Sequence, residues 1–278
     1  MPELPDVELF RRHLDRTCKG RVIRHVAVND PKMLAGITRE AFTTRLEGAC
    51  ILKSRRHGKH LLVALMPAGW ITMHFGLTGA LAHWVGAAAE PAYTRIRFDF
   101  RDGHHLAYTN LRRLGAVGFA EDAERFIAAE RLGPDALDPG LDFAAFERSL
   151  SARKRNIKSL LMDQGTIAGI GNIYSDEILF QAGIHPDVPT DRLDVDARKR
   201  LFSEVKRVLE TAIKRGSGAE LLPEALPPTF LLPQRKKGGH CPRCSMELHA
   251  AKFSGRTAYY CPHCQLERHD LPFVRAIS

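Results

Sequence analysis

The sequence Cys241-Pro-Arg-Cys244, followed after sixteen residues by Cys261-Pro-His-Cys264, decides how the C-terminal part of the chain folds. Two Cys-x-x-Cys pairs at this spacing fold back as two knuckles, and four thiolates then surround one ion tetrahedrally. The intervening segment contains basic and aromatic side chains, among them Lys252, Arg256, Tyr259 and Tyr260. The pattern therefore predicts a small hairpin that one structural zinc ion folds and that meets a polyanion.

The charge of the whole chain also favours an acidic partner. Lys and Arg exceed Asp and Glu by 41 to 32 over 278 residues, which gives a net charge of +9. Such an excess attracts phosphates and releases their counterions, so a nucleic acid is the expected partner. Charge and cysteines alone also fit a zinc-ribbon protein that binds RNA or the ribosome.

The sequence indicates neither a membrane partner nor secretion. No stretch approaches the about 20 apolar residues of a membrane span. The N-terminus lacks the basic and apolar regions of a signal peptide. Cys18 and Cys50 lie far apart without ligand spacing, so we expect a reducing cytosol in which the paired cysteines bind zinc.

The N-terminal half has the periodicity of strands after one helix. Residues 6–19 carry apolar side chains at helical spacing, and short apolar runs follow. Residues 94–108 alternate between apolar and polar side chains, and Asp102-Gly103 offers the positive φ angles of a tight hairpin turn. We therefore predict an antiparallel β-sandwich with a flanking helix over residues 1–131.

The segment 132–141 contains two prolines and two glycines and is predicted to be a linker. Helical spacing then predicts four helices, which begin near Asp142, Ile157, Ile173 and Asp194. We expect a helical domain at 142–232, a zinc finger at 233–268 and a tail at 269–278. The proline-rich stretch 221–233 fits either an ordered loop or a flexible arm.

Pro2 and Glu3 are the candidate catalytic residues. Removal of Met1, which a small second residue permits, leaves Pro2 with a free secondary amine. An α-amino group has a pKa near 7.7–8.0, so part of it is unprotonated at neutral pH. Such an amine attacks an electrophilic carbon and forms an iminium, and Glu3 beside it is a candidate acid or base.

The opening Met1-Pro-Glu-Leu-Pro-Asp-Val-Glu8 resembles the formamidopyrimidine-DNA glycosylase and endonuclease VIII family. Its Pro-Glu-Leu-Pro is closer to the formamidopyrimidine branch. Four further segments resemble the family's motifs in the same order: Arg55-Arg-His-Gly-Lys59, His74-Phe-Gly-Leu-Thr-Gly79, Gly169-Ile-Gly-Asn172-Ile-Tyr-Ser-Asp-Glu177, and the four-cysteine segment with Arg256. The resemblance implies a β-sandwich, a helix-two-turn-helix domain and a zinc-finger hairpin, hence a multidomain α+β protein.

The resemblance also implies an activity, which is base-excision repair by a DNA glycosylase with abasic-site lyase activity. Pro2 attacks the sugar C1′ of a flipped nucleotide, Glu3 transfers protons, and Lys59 acts electrostatically near the lesion. The implied partner is damaged double-stranded DNA, bound by a monomer in the bacterial cytosol or nucleoid. The implied DNA-binding residues are His74, Leu77, Arg112, Leu114, Lys158, Asn172 and Arg256.

Four departures from the family's pattern leave the substrate open. Asp6 replaces the usual Glu, and Asn110-Leu111 replaces Asp-Pro. Leu77 and Leu114 stand where Met and Phe commonly fill the gap left by the flipped nucleotide, although an apolar wedge remains. The segment 216–240 is short where a longer loop covers 8-oxoguanine. Formamidopyrimidines, 8-oxoguanine and oxidised pyrimidines all stay open as substrates, as does a protein that binds damaged DNA without cutting it.

Overall fold

A computed structural model describes residues 1–151, 155–216, 223–253 and 255–265. The chain divides into two compact units, Met1–Arg131 and a second that begins at Leu132. Within the described ranges no helix is long and apolar enough to cross a membrane. The predicted tail 269–278 and part of the proline-rich stretch lie outside the described residues. The finer limits 132–141, 142–232 and 233–268 stay predictions.

The first unit is the expected β-sandwich. One sheet has the strand order β1-β7-β8-β6 and the other β2-β9-β5-β4-β3, and every pairing is antiparallel except β2 with β9. The strands are β1 Ile23–Val28, β2 Leu34–Ala35, β3 Cys50–His57, β4 His60–Met66, β5 Trp70–His74, β6 Gly79–Val85, β7 Thr94–Phe100, β8 His104–Asn110 and β9 Ala116–Ala120. Their inward side chains form one buried core.

Helix α1, Leu4–Cys18, packs on this core through buried side chains at helical spacing, among them Val7, Phe10 and Leu14. The sequence predicted its start at residue 6, but the helix begins two residues earlier. Pro5 lies in its first turn, where a missing N–H costs nothing and the fixed φ suits a helix.

Two short helices of this unit were missed. Helix α2 covers Arg39–Leu46, and helix α3 covers Ala123–Ala129. Thr38 and Asp122 cap them by accepting hydrogen bonds from backbone N–H groups of the first turn. Helices of eight and seven residues have too few turns for a clear hydrophobic period, so the capping residues were their only signal in the sequence.

The β7–β8 hairpin is present, but its turn differs from the prediction. Residues 101–103 connect the strands, and Gly103 takes φ +79° while Asp102 keeps a negative φ. A three-residue connection with glycine in the left-handed position is the common alternative to the two-residue turn. The dipeptide therefore predicted the hairpin but not its length.

The second unit contains the four predicted helices and the predicted hairpin. The helices are α4 Phe143–Ser151, α5 Ile157–Met162, α6 Asn172–Ala182 and α7 Val195–Lys214, and the strands are β10 His249–Phe253 and β11 Arg256–Tyr260. Gly183, at φ +68°, ends α6 as expected. Helix α6 is buried on nearly all sides, because α5, α7 and β11 all pack on it.

Candidate functional site

The N-terminus of α1 holds the two candidate catalytic residues. Pro2 is buried, and Glu3 is 0% exposed at the N-cap of the helix. The carboxylate of Asp6 accepts a hydrogen bond from the Glu3 N–H at 2.8 Å. This bond fixes the backbone of Glu3, and the positive end of the helix favours a carboxylate there. Asp6 is shorter than the family's usual Glu, but its carboxylate still reaches the Glu3 N–H and fixes the backbone there.

Glu8 joins helix α1 to the turn that bears Lys59. Its carboxylate accepts hydrogen bonds from Arg11 and Arg12 and lies 3.5 Å from Nε of Arg56. Burial acts to raise the pKa of Glu8, but the three guanidinium groups outweigh it and lower that pKa below its usual value. Arg56 also donates to the Gly58 carbonyl at 3.3 Å, so the ionised carboxylate holds the turn in place.

Lys59 sits in a two-residue turn between β3 and β4, where His57 pairs with His60. Gly58 takes φ +56°, as the first central position of a type II′ turn requires. Lys59 is 7% exposed, which is unusual for a lysine at a hairpin tip. The side chain of Lys59 is therefore largely buried, and its charge acts on the neighbouring rings of His60 and His74.

His60 and His74 form a cross-strand pair with ring centroids 5.0 Å apart. Burial and the charge of Lys59 lower the pKa of His74, and burial with neighbouring cations lowers that of His60 to about 3. Both rings are therefore neutral at pH 7. Nδ1 of His74 accepts a bond from the Gly76 N–H at 3.3 Å, which assigns the proton to Nε2 as a donor.

Asn110 joins the two loops that carry the three predicted wedge residues. It is 0% exposed and donates from Nδ2 to the Phe75 carbonyl at 3.2 Å and to the Tyr108 hydroxyl at 3.1 Å. Its Oδ1 accepts from Thr78, whose hydroxyl oxygen accepts the Arg112 N–H at 3.0 Å. An aspartate cannot make the two donations, so Asn110 explains one departure from the family's pattern.

The network brings the loop residues Leu77, Arg112 and Leu114 together. Leu77 lies in the turn between β5 and β6, and the loop after β8 leaves Leu114 54% exposed. A Cβ on Gly76 would come within 2.3 Å of the Leu114 backbone, so only glycine permits this approach. The three residues therefore lie on two loops of the first unit that contact each other.

We expect Asn110→Ala to lower the free energy of unfolding by about 1–3 kcal/mol, because buried partners lose their hydrogen bonds. Urea denaturation measures this change. The control is Asn29→Ala, whose amide binds Glu90 at an exposed site, and it should stay within about 0.5 kcal/mol of the wild type. Equal effects of the two substitutions would contradict the assigned role of Asn110.

In the second unit, the turn Gly169–Asn172 precedes α6 and is held from inside. Gln164 accepts the Gly169 N–H at 3.0 Å and donates to the Ile170 carbonyl at 2.8 Å. Lys158 donates to the Asn172 carbonyl at 3.0 Å. Asn172 is half-buried at the first position of α6, and its Oδ1 has no hydrogen-bond partner among the described residues. Because Oδ1 is a buried acceptor, the Nδ2 amide group is the part of this side chain that can donate to an anion at the helix N-terminus.

Lys158 is 1% exposed. Its ammonium donates to the Asn172 carbonyl, the Ser175 hydroxyl at 2.8 Å and the Asp176 carboxylate at 2.6 Å. An ammonium has three donors, and these acceptors use all of them. In this structure Lys158 therefore holds the turn from the interior, and its direct contact with DNA stays a prediction.

The four cysteines form a site for one structural zinc ion. Their sulfur atoms lie within 4.8 Å of one another. Two pairs are 3.8 and 3.4 Å apart, Cys241 with Cys264 and Cys244 with Cys261. Four sulfurs at about 2.3 Å from a tetrahedral zinc would be about 3.8 Å apart, so the cluster fits the ion. Backbone N–H groups of Arg243 and Cys264 donate to the sulfurs, as expected for two knuckles.

We expect Cys261→Ser to release zinc and to weaken binding to duplex DNA, while the sheets of the first unit stay folded. A structural zinc site loses folding free energy with its metal. Atomic absorption and a DNA titration measure the two effects. Cys50→Ser, a half-buried cysteine on β3, is the matched control. Retained zinc and affinity in Cys261→Ser would overturn the assignment.

Arg256 is exposed at the start of β11, where its side chain can reach a partner. The residues that hold Asn172 and the hairpin escaped the sequence analysis. Gln164 lies in no motif, and Asp176 lies within the Gly169–Glu177 segment without any role that its sequence position indicates. The adjacent acids Asp176-Glu177 in helix α6 were the visible signal, because both are buried and buried carboxylates need partners.

Comparison with protein families gives three matches along the chain. Residues 1–117 match the formamidopyrimidine-DNA glycosylase N-terminal domain. Residues 132–221 match the helix-two-turn-helix domain of the same family, and residues 238–266 match the zinc finger found in that glycosylase and in isoleucyl-tRNA synthetase.

Individual relatives agree. A formamidopyrimidine-DNA glycosylase of Moorella thermoacetica is 36% identical over 264 residues, 91% of this chain and 95% of that protein. One from Geobacter metallireducens is 35% identical over 94% of this chain and 98% of the other. The Lactococcus lactis enzyme, solved bound to DNA with an abasic site, superposes with a TM-score of 0.86 at 28% identity and covers 95% of this chain and 100% of that one. The chain therefore belongs to the formamidopyrimidine-DNA glycosylase family of bifunctional DNA repair enzymes.

Proposed function

We propose that this protein excises an oxidised base from duplex DNA and then cleaves the strand at the resulting abasic site. The observation that carries the proposal is the placement of Pro2 and Glu3 at the N-terminus of α1. Asp6 fixes the backbone there, and Arg56 ties the helix to the turn of Lys59. Formamidopyrimidine is the substrate class that the relatives' names support.

The chemistry begins once Met1 is removed. The lone pair of the Pro2 nitrogen attacks the sugar C1′, and the bond from C1′ to the base breaks, with the base leaving as its protonated form. The amine loses its proton, the ring opens at C1′–O4′ and an iminium forms. The iminium acidifies the C2′ proton, so elimination of the 3′ phosphate and then of the 5′ phosphate follows.

Glu3 supplies the proton transfers in this scheme. Opening of the sugar ring places negative charge on O4′, and a carboxylic acid that protonates this oxygen lowers the barrier. The ammonium of Lys59 and Nε2–H of His74 supply donors for the phosphates around the lesion. Burial lowers the pKa of His74, so this donor stays neutral at pH 7.

The second unit contributes phosphate contacts in this proposal. Asn172 lies half-buried at the first position of α6, where the N–H groups of its side-chain amide can donate to a phosphate oxygen, and Arg256 is exposed on β11. The Lactococcus lactis relative was solved with DNA that contains an abasic site and with DNA that contains a formamidopyrimidine. We infer the same partner class for this chain, bound by a monomer.

A cleavage panel tests the proposal. Duplexes carry formamidopyrimidine, 8-oxoguanine, an oxidised pyrimidine or an abasic site, each opposite all four bases. We expect cleavage with both elimination products on formamidopyrimidine and abasic duplexes, and a covalent adduct with borohydride. A protein that binds these duplexes selectively and cuts none would instead be a non-cleaving damage binder.

An oxidised pyrimidine is the alternative substrate, because the departures at the wedge residues leave the lesion open. Leu114 is exposed and aliphatic where the family commonly has an aromatic ring, so base stacking is weaker at this position. The same panel distinguishes the substrates, because a pyrimidine-specific enzyme would cut the pyrimidine duplex fastest. An RNA or ribosome partner has lost its support, since charge and cysteines are explained by the family.

A further inference from the structure

Asp176 lies in the middle of α6, 1% exposed, and both of its carboxylate oxygens have partners. Oδ1 accepts the ammonium of Lys158 at 2.6 Å. Oδ2 accepts Nε of Arg235 at 2.8 Å and the backbone N–H of Tyr259 at 3.0 Å. One carboxylate thus receives donors from α5, from the segment before the zinc knuckles and from β11.

The two oxygens face the two phosphate-binding elements of this unit. Lys158 continues from Oδ1 to the Asn172 carbonyl, at the turn that begins α6. On the other side, Oδ2 binds Arg235 and the backbone of Tyr259 in the hairpin. The guanidinium of Arg235 also lies over the ring of Tyr259, 5.0 Å from its centroid. Arg256 lies on the same strand as Tyr259. The path from Asn172 to the hairpin therefore runs through one carboxylate.

Other contacts fix the hairpin to α6 as well. Glu177 accepts the Leu232 N–H at 2.8 Å, and burial raises the pKa of Glu177 to about 7. Phe180 packs in the apolar cluster with Cys241 and Cys261, and Arg243 of the first knuckle lies 4.4 Å over its ring. The contacts of Glu177 and Phe180 fix the segment around the knuckles. Asp176 differs from them because, through Lys158, it is also linked to the Asn172 turn.

We propose that Asp176 is a positioning residue that holds the Asn172 turn and the Arg256 hairpin in one register, so that both contact DNA phosphates together. The inference rests on the proposed DNA partner. A buried carboxylate with fully used oxygens has one geometry, because a shift of either partner leaves a charge unpaired. Substitution should therefore weaken both phosphate contacts rather than one.

The test compares Asp176→Asn with Glu204→Gln, which removes the same charge from an exposed ion pair with Arg207 on α7. A duplex with a reduced abasic site is titrated at several salt concentrations. We expect Asp176→Asn to bind about 5- to 150-fold more weakly, the usual range for coupled sites, and to lose about one unit of salt slope, because Arg256 is cationic and Asn172 is neutral. Glu204→Gln should bind as the wild type does.

The rate at saturating DNA separates positioning from chemistry. Pro2 and Glu3 lie in the first unit, so the single-turnover cleavage rate of Asp176→Asn should stay within about twofold of the wild type. Asn172→Ala and Arg256→Ala should each cost less affinity in the Asp176→Asn background than in the wild type. Full additivity of these substitutions, or wild-type affinity in Asp176→Asn, would overturn the proposal.

A measurement without DNA keeps the inference separate from the proposed function. Hydrogen exchange should quicken in Asp176→Asn at both the Asn172 turn and β11, with zinc retained. Arg235→Gln removes only the contact of Asp176 with the hairpin side, so it should speed up hydrogen exchange in β11 alone. This second variant also provides a test if Asp176→Asn fails to fold. Unchanged exchange at the turn in Asp176→Asn, or quickened exchange there in Arg235→Gln, refutes the coupling. Failure of the wild type to bind damaged DNA would refute the proposed function instead.

Discussion

A protein with one extra residue ahead of Pro2 is expected to give no borohydride-trapped adduct with abasic DNA and no strand cleavage. The extra residue converts the secondary amine into an amide, whose nitrogen lone pair is delocalised and cannot attack C1′. The correctly processed protein should give both products. Gel mobility of the trapped complex and mass spectrometry of the N-terminus measure the two outcomes.

The control for this experiment is binding. Asn172, Arg256 and the zinc hairpin belong to the second unit, so the extended protein should keep its affinity for a reduced abasic duplex within about tenfold. Loss of affinity by a larger factor would mean that the extension disturbs the fold around the buried Pro2. Cleavage by an extended protein with its N-terminus verified intact would exclude the Pro2 mechanism.

Residues with a local signature could be predicted from the sequence. The four cysteines repeat a spacing that metal chemistry requires, and the structure brings their sulfurs together. The β-sandwich, the four helices of the second unit and the hairpin follow from periodicity and turn residues. The helices α2 and α3 were missed because each is only about two turns long and depends on its cap and on packing.

Residues that act through long-range contacts could not be predicted. Asn110 binds Phe75, 35 positions away, and Asp176 binds Tyr259, 83 positions away. Neither pairing has a periodic or spaced pattern, because the sequence separation of two contacts is set by the whole topology. The same limit applies to Lys158, which the family resemblance implies as a DNA contact and whose ammonium the structure buries against Asp176.

The departures from the family's pattern become clearer from the structure. Asp6 replaces a longer carboxylate and Asn110 replaces an aspartate of the same shape, and both form hydrogen bonds that fix a neighbouring segment. Leu77 and Leu114 differ, because leucine stands on these loops where the family commonly has Met and Phe, and Leu114 is 54% exposed. We therefore attribute any altered lesion preference to this patch rather than to the N-terminus.

Glu3→Gln is expected to slow excision of formamidopyrimidine by about 10²- to 10⁴-fold, the usual contribution of a general acid. The amide keeps the size of the side chain and its N-cap position, but it cannot transfer a proton to O4′. The amine of Pro2 remains. Formation of the trapped adduct on a preformed abasic site should fall far less, because the open-chain aldehyde needs no ring protonation. Single-turnover assays on the two substrates measure this difference.

The matched control is Glu8→Gln, a second carboxylate on the same helix that pairs with Arg11, Arg12 and Arg56. Glu8→Gln should lower the stability of the protein and slow the reactions on both substrates by a similar factor, because it loosens the turn of Lys59. A Glu3→Gln protein that loses both activities equally would show that Glu3 positions Pro2 instead of transferring protons. If Glu3→Gln slows base excision much more than adduct formation, proton transfer belongs to Glu3 and nucleophilic attack to Pro2. The two steps are then assigned to adjacent residues at one helix N-terminus.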